Sequence, residues 1–509
     1  MDLDVRRLGD LLKLARRGIL LAAALCAAAA EGRAEEPAAA PPAERKESGF
    51  VPRVDFRIEA ALSAVYRSEG VTRILDRDSE RDSEGYLAPE AGVQLVAWLP
   101  RSASLTLEIR NAPLRANLFD HDTWGTEANR DVPGGGRDYD AFLRRAFVRV
   151  DDLFWEQLSV KIGVQDFALS LRRPGDAFFA DLLHSEFALV APVTEAAAGG
   201  STYALTAPGG TDPATHGLFR DEATPAGARL TWNAFHMSLL FVDAFYFTVL
   251  EGGADHADER FFGLNADLLV PFTEEAPSLV TLVLAGIEND RTGSRIWTVG
   301  LGVDLVPGVP EGLDVFAELY WQSGFYGEPA GRRVRQSAWA GRAGARVPFA
   351  SLPLRPAVEI SGCCLTGDRG APGDDVNRDF VSYEGIDDAL VVESDLHGLD
   401  IDSNYLAGRA RITAEADVIQ KADLRFEVMY AYFRLYREPE RAGGAADRNP
   451  GRRLGHEVDL RVAFDFNEHA TLSLFAGALL DSAWLAHRDG FDTGKRHALV
   501  GGLSFRVTF

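Results

Sequence analysis

Long stretches in which apolar and polar residues alternate constrain the fold of this chain more than any other feature. The stretch IWTVGLGVDLVP, which begins at Ile296, places Trp297, Val299 and Leu301 on one face and small or polar residues on the other. The stretch GHEVDLRVAFDF, which begins at Gly455, repeats the scheme. A period of two residues is typical of a β-strand with one apolar and one wet face. The sequence therefore predicts an all-β chain.

The number of these strands and the links between them predict a closed barrel. About 18 segments follow Val54, many near the ~9–11 residues with which a tilted strand crosses a membrane. Short links such as PRSA, NAF and NEHA alternate with long polar stretches, for example 111–141, 166–225 and 362–404. This alternation is typical of a single antiparallel outer-membrane barrel with short periplasmic turns and long extracellular loops. An even strand count places both termini in the periplasm. The predicted strands begin near residues 54, 90, 104, 142, 158, 226, 235, 260, 279, 295, 313, 336, 354, 405, 421, 454, 470 and 497.

The N-terminus predicts export. Basic residues precede the apolar run ILLAAALCAAAA, which is too short for a membrane-spanning helix, and small residues follow it. We interpret residues 1–34 as a signal peptide, 35–52 as a disordered Ala/Pro-rich lead-in and 53–509 as the outer-membrane β-barrel. A lipid anchor at Cys26 is the alternative, but the large Leu25 before it disfavours that processing.

Composition agrees with a β-rich exported chain. Forty-nine glycines, thirty phenylalanines and three methionines fit many strands and turns better than helices. After signal cleavage only the adjacent Cys363 and Cys364 remain, so no disulfide framework is expected. A formal charge of −23 excludes a general nucleic-acid binder.

A secreted sandwich or propeller is the soluble alternative, because it also has alternating strands and a signal peptide. Few such folds combine so many long strands with alternating link lengths. Tryptophans on the apolar faces also favour an aromatic girdle at the membrane interface. These tryptophans are Trp232, Trp297, Trp321 and Trp339.

The C-terminal stretch GGLSFRVTF ends in Phe509 and alternates throughout. A last strand must pair with the first, because an open edge in lipid leaves backbone groups unsatisfied. The ending resembles the C-terminal signature of bacterial outer-membrane proteins. This resemblance implies that Phe509 is an assembly signal read by the barrel assembly machinery.

The final third carries a narrower resemblance. The stretches LHGLDIDSNYLAGRARITAEADV, FEVMYAYFRLYR and LGHEVDLRVAFDFNEHATLSLFAGALL resemble the alginate export family of outer-membrane porins, with the closest similarity over residues 400–509. The resemblance implies a monomeric 18-stranded barrel whose arginine-rich lumen passes an anionic polysaccharide outward. Periplasmic export components are then further expected partners.

A polyanion moves through a narrow lumen along spaced cations, and arginine grips carboxylates with two hydrogen bonds. The strand parity predicts a lumen pathway of cations and a set of opposing acids, and pairing between the two sets is the alternative to an anion track. The predicted cations are Arg145, Arg149, Lys161, Arg342, Arg346, Arg409, Arg411, Arg425, Arg461 and Arg506. The predicted acids are Glu318, Glu359, Glu415, Asp417, Glu427, Glu457 and Asp459.

The sequence holds no HExxH, GxSxG or GxxxxGK[ST] motif, and we expect no enzyme activity, cofactor or metal site.

The preferred function is passive export of an alginate-like polysaccharide across the bacterial outer membrane, with membrane lipid as the surrounding partner. The alternative is a general or substrate-selective diffusion porin for small solutes. A structural barrel filled by its loops is a third class. The long loop 166–225 could fold inward as a constriction, but its glycines favour the alternative, a surface loop with a short amphipathic helix.

Overall fold

A computed structural model describes most of the barrel. The described residues are 53–68, 83–100, 102–111, 116–117, 141–154, 157–165, 226–233, 240–249, 259–270, 278–289, 293–306, 312–327, 333–367, 375–381, 388–394, 399, 401, 403–419, 422–437, 452–467, 469–486 and 496–509. The predicted signal peptide, the lead-in and the loop 166–225 lie outside these ranges and stay predictions.

Within the described ranges the chain forms twenty strands and one short helix. They are β1 (Arg53–Ser68), β2 (Ser83–Leu99), β3 (Ala103–Asn111), β4 (Ala116–Asn117), β5 (Ala141–Val150), β6 (Leu158–Val164), β7 (Ala226–Asn233), β8 (Leu240–Val249), β9 (Glu259–Val270), β10 (Ser278–Asn289), β11 (Ser294–Leu305), β12 (Asp314–Gly327), β13 (Val334–Pro348), β14 (Ala357–Leu365), β15 (Val376–Asn377), β16 (Tyr405–Ile419), β17 (Ala422–Leu435), β18 (Arg453–Asn467), β19 (Ala470–Leu480), α1 (Ala483–Ala486) and β20 (Ala498–Thr508).

Eighteen of these strands close into one antiparallel barrel, as predicted. The other two, β4 and β15, have two residues each and pair beside β2 and β13. The last strand closes on the first from Glu59 opposite Thr508 to Arg67 opposite Val500. Phe509 extends this pairing, since its amide and carbonyl bond the carbonyl and amide of Ile58 at 2.8 and 3.0 Å. Closure satisfies every edge that lipid would otherwise leave unpaired.

The barrel has a short-turn end and a long-loop end. The links β2–β3, β16–β17 and β18–β19 at the short-turn end contain three, two and two residues, and the barrel also begins and ends there. We assign this end to the periplasm, because outer-membrane barrels turn tightly on that side. The predicted alternation of link lengths is not strict. At the long-loop end, β10–β11 and β12–β13 are joined by four and six residues, because any antiparallel pair can close with a tight hairpin.

Most predicted strand starts agree with the structure to within three residues. The exceptions are β2, which starts at Ser83 rather than near 90, and β8, which starts at Leu240 rather than near 235. Pairing with the long strand β1 extends β2 back through Pro89, which lies opposite Leu62. Tertiary pairing therefore overrides the local turn signal of proline.

The exterior of the barrel is apolar and its interior holds buried polar groups. Leu282, Leu301 and Leu319 are 53–58% exposed, whereas Thr298 and Gln322 are fully buried on the inward faces of neighbouring strands. A soluble barrel shows the opposite arrangement, so this exterior faces lipid. The chain is an all-β protein of the bacterial outer membrane. The four tryptophans singled out in the sequence, at 232, 297, 321 and 339, are all exposed on this exterior. In the described ranges no helix is long and apolar enough to cross a membrane.

The lumen is less polar than the sequence pattern suggests. Toward the long-loop end, inward residues such as Phe245, Phe247 and Phe433 form a buried apolar cluster. Phe380, Val391 and other residues between β14 and β16 pack against them. This apolar inner wall is stable because the residues between β14 and β16 cover it and exclude water.

Arginine on the lipid face is expected to destabilise the barrel in proportion to its depth. We expect Leu301→Arg, within β11, to lower the free energy of unfolding by roughly 2–4 kcal/mol. Leu305→Arg, on the same face at the short-turn end of β11, is expected to cost only about 0–1 kcal/mol. Urea unfolding of the refolded chain in lipid vesicles, followed by tryptophan fluorescence, measures both. Equal losses for the two variants would contradict the assignment of this face to lipid.

Candidate functional site

Residues 388–394, called the inserted segment below, lie inside the barrel. Val391 and Val392 are fully buried. The segment makes a turn in which the Ser394 amide donates to the Ala389 carbonyl at 2.9 Å. The alternation of link lengths predicts an extracellular loop for the whole stretch 362–404, and for these seven residues the structure corrects that prediction.

Two acids on β18 hold the backbone of the inserted segment. The amides of Val391 and Val392 donate to the two carboxylate oxygens of Glu457 at 2.6 and 3.0 Å. The Leu390 amide donates to Asp459 at 2.9 Å. The two acids are two residues apart on one strand, so they lie on the same face. Their contacts with the inserted segment show that this face is the inward one. They were predicted to oppose lumen arginines, but here they accept hydrogen bonds from backbone amides, which a loop buried in the lumen must satisfy.

Arginines of three strands surround Asp388 at the start of the inserted segment. Arg411 donates to its carboxylate at 2.7 Å, Arg342 lies 3.5 Å from it, and Arg461 donates to its backbone carbonyl at 2.7 Å. Burial alone raises the pKa of Asp388, but Arg342, Arg411 and Arg409 outweigh it and hold the pKa below its ordinary value. The carboxylate therefore stays charged at neutral pH and keeps its contacts with the wall.

Glu393 anchors the other end of the inserted segment. Its carboxylate accepts hydrogen bonds from the Arg409 guanidinium, from the Tyr405 hydroxyl at 2.5 Å and from the Ala389 amide at 3.0 Å. Glu393 and Arg409 are both nearly inaccessible to solvent. A buried acid with three donors is stable only while all of them stay in place.

Acids on β14 and β17 balance the remaining positive charge of these arginines. Arg342 pairs with Glu359 at 3.1 Å, and Arg461 pairs with Glu427 at 3.0 Å. The result is one connected network of four cations and four anions that joins five strands to the inserted segment. Its members are Arg342, Arg409, Arg411, Arg461, Glu359, Glu427, Asp388 and Glu393. Four of the predicted pathway arginines are therefore engaged in anchoring.

Strand periodicity does not identify Asp388 or Glu393 as site residues. Both lie in a stretch assigned to solvent, so their carboxylates had no predicted partner. The available signal was the apolar run ALVV between them, which is unusual in an exposed acidic loop. Such a run predicts burial, but only the fold determines which wall buries it.

A row of cations lies on the wall opposite the inserted segment. Arg149 faces Lys161 across β5 and β6, and Lys161 faces Arg229 across β6 and β7. In the ring of eighteen strands, β5, β6 and β7 lie nine places from β14, β16 and β17. Because the inserted segment packs on the latter side, the row and the segment lie on opposite walls of the barrel.

The members of the cation row differ in their partners. Arg229, which the sequence analysis did not single out, binds Asp243 with two hydrogen bonds of 3.0 and 2.7 Å. Arg149 pairs with Asp151 at 2.9 Å. Lys161 lies 4.0 Å from the ring centre of Phe147 and has no carboxylate within 4.0 Å in the part of the chain that the structure describes. Lys161 therefore supplies the row's unbalanced positive charge.

The other predicted site residues lie apart from this constriction or near its edges. Arg145 pairs with Glu108 at 3.0 Å, Arg425 with Asp465 at 2.8 Å and Arg506 with Glu59 at 3.1 Å. Arg346 lies on β13 opposite Glu359 and Asp314. Glu318 is buried and accepts a hydrogen bond from Tyr320 at 3.3 Å, and Glu415 lies opposite Arg425. The side chain of Asp417 is outside the described residues. In the described ranges, no three His, Cys, Asp or Glu side chains are grouped to hold a metal ion.

No family model and no curated protein matches this sequence. Similar solved structures include OccAB1 of Acinetobacter baumannii, with 11% identity, coverage of 90% of this chain and 96% of that chain, and a TM-score of 0.49. The outer membrane protein OpdK of Pseudomonas aeruginosa has 12% identity, coverage of 89% and 98%, and a TM-score of 0.47. OpdQ of the same organism has 11% identity, coverage of 90% and 97%, and a TM-score of 0.45. Because these similarities are low, the assignment of the barrel architecture rests on the strand pairing of this chain itself.

Removing one anchor is expected to release the inserted segment. In Glu457→Gln, the side-chain amide keeps one acceptor oxygen for the N–H groups of Val391 and Val392 and replaces the other oxygen with a donor. One buried N–H group then lacks an acceptor, which destabilises the inserted segment by roughly 1–3 kcal/mol. We expect a larger and noisier single-channel conductance in a planar bilayer than for the unmodified chain. Glu415→Gln makes the same chemical change on an inward acid without contact to the segment, and its conductance is expected to stay unchanged. Identical conductance in the two variants would contradict the anchoring role of Glu457.

Proposed function

We propose that this protein is a substrate-selective diffusion channel that passes small solutes through the outer membrane, with a preference for anions. The observation that carries the proposal is the inserted segment, which occupies part of the lumen on the wall opposite a row of cations. A constriction with fixed charge on its walls selects solutes by size and by sign. The proposed activity is passive conduction without catalysis, and its proposed partners are small solutes, membrane lipid and the assembly machinery that reads Phe509.

The charge on the inserted segment and on the opposite wall of the lumen supports the preference for anions. The carboxylates of the inserted segment are occupied by arginines, so they present little free negative charge to the lumen. On the opposite wall Lys161 lacks a carboxylate partner within the described ranges. An anion that passes between the two walls meets a cation that is free to bind it weakly and release it, as conduction requires.

Polysaccharide export, the other function considered, receives less support from these contacts. It needs a continuous track of arginines that can exchange one carboxylate for the next. Arg342, Arg409, Arg411 and Arg461 already hold carboxylates of the protein itself. A polymer would also have to pass the inserted segment, which these same arginines fix in place. We therefore propose diffusion of small solutes rather than export of a polymer.

The direct test is conductance of the refolded mature chain in a planar bilayer, together with swelling of vesicles in sugars and sugar acids of increasing size. We expect an ohmic, anion-preferring current and entry of small sugar acids, with exclusion of an alginate oligosaccharide. Absence of current would indicate a barrel that is closed by its loops. Block of the current by the alginate oligosaccharide would return the preference to polysaccharide export.

Lys161 is expected to set the ion preference. Loss of one unit charge near the permeating ion changes its energy by about 1 kcal/mol at 4 Å in water, or about five-fold in the permeability ratio. We expect this loss of anion preference in Lys161→Gln and none in Lys161→Arg, measured as the reversal potential in a salt gradient. The control is Arg425→Gln, which removes a lumen cation that is paired with Asp465 and is not part of the cation row. An equal shift in Arg425→Gln would contradict a local role for Lys161.

A further inference from the structure

The exterior of the barrel carries a groove that is separate from the lumen constriction. Its floor is made of small outward positions on the three adjacent strands β13, β14 and β16, and its rim is made of larger outward residues on β13, β16 and β17. The volume is about 670 Å³. The outward floor positions are Gly341, Ala343, Gly362, Cys364 and Gly408, and the rim is formed by Trp339, Leu406, Tyr432 and Arg434.

Strand register makes this floor continuous. Gly341 lies opposite Cys364, which lies opposite Leu406, and this row ends at Arg434 on β17. The next row runs through Gly362 and Gly408 to Tyr432. A hollow therefore extends along the lipid face between exposed aromatic side chains.

Gly408 has no internal reason to be glycine. Its backbone is not in the left-handed region, and an added Cβ would meet no atom of the described residues within 4 Å. Neighbouring glycines differ, since a Cβ on Gly341 would lie 3.1 Å from the Glu318 carbonyl oxygen. A glycine inside a strand weakens it, and it often marks a place where a ligand approaches the backbone. The space over Gly408 thus remains open to an occupant from outside the chain.

Arg434 gives the groove a charged end. It is exposed, lies one residue before the end of β17 at the long-loop end, and has no carboxylate within 4.0 Å in the described part of the chain. Beside it, the Tyr430 hydroxyl and His456 Nδ1 form a hydrogen bond of 2.7 Å, and the Tyr432 and His456 rings lie 4.9 Å apart. Aromatic and basic side chains at this level are typical of the membrane interface.

We propose that this groove binds one acyl chain of a lipid in the leaflet at the long-loop end and that Arg434 binds the phosphate of its headgroup. The floor row of Ala343, Gly362 and Gly408 lies nearer the short-turn end than the row that holds Arg434, which matches the order of tail and headgroup in a phospholipid. Charge complementarity favours lipid over a second copy of the chain, because the cation at the rim needs an anion. The site lies outside the barrel and does not depend on the proposed conduction.

The test is native mass spectrometry of the full mature chain in a neutral detergent, with dimyristoylphosphatidylglycerol and dimyristoylphosphatidylcholine titrated separately. We expect one tightly bound phosphatidylglycerol, whose affinity falls about ten-fold in Arg434→Gln because a charge-assisted contact is lost. Gly408→Leu fills the groove and is expected to weaken both lipids. Arg295→Gln changes another exterior arginine, which already pairs with Glu288 at 2.8 Å, and is expected to change neither.

Conductance equal to that of the unmodified chain reports correct folding of each variant, since both residues face away from the lumen. If Gly408→Leu does not fold, Gly408→Ala and Arg434→Gln decide the question. Unchanged phosphatidylglycerol affinity in Arg434→Gln would overturn the proposal. Loss of an oligomer in the Gly408 variant, with lipid binding intact, would also overturn it and assign the groove to a second copy of the chain.

Discussion

The structure depends on one constraint, which is that backbone N–H and C=O groups in lipid must find partners within the protein. Pairing of β1 with β20 meets this constraint by removing both edges of the sheet. Closure then fixes which face of each strand looks inward. The apolar exterior, the buried polar interior and the arrangement of the lumen charges all follow from this single geometric requirement.

Inside the barrel the same constraint applies to a second stretch of chain. The amides of the inserted segment cannot reach water, so Glu457 and Asp459 accept their hydrogen bonds. Buried carboxylates in turn need cations or donors, and the arginines of β13, β16 and β18 supply them around Asp388 and Glu393. A buried ion network is weak evidence for stability, and we infer that this one serves to hold the inserted segment in one position. A defined position is what a selective constriction needs.

The two proposed sites use different faces of the same strands. Along β16, the inward Arg409 and Arg411 hold the inserted segment, while the outward Leu406 and Gly408 line the lipid-facing groove. The alternation of side chains along a strand separates the two environments by a single residue. Changes on one face can therefore be tested without altering the other.

The sequence by itself determined the fold class, the number of barrel strands and the inward parity of residues such as Arg342 and Arg461, because a period of two residues is a local property of a strand. It could not determine what those arginines contact. Asp388 and Glu393 are distant in sequence from most of their partners, and they lie in a stretch whose polar ends are typical of a solvent-exposed loop. Only the closed barrel, which brings β13, β16 and β18 around residues 388–394, decided that these acids enter the lumen. The physical reason is that periodicity assigns a side chain to a face, whereas its partner depends on tertiary packing.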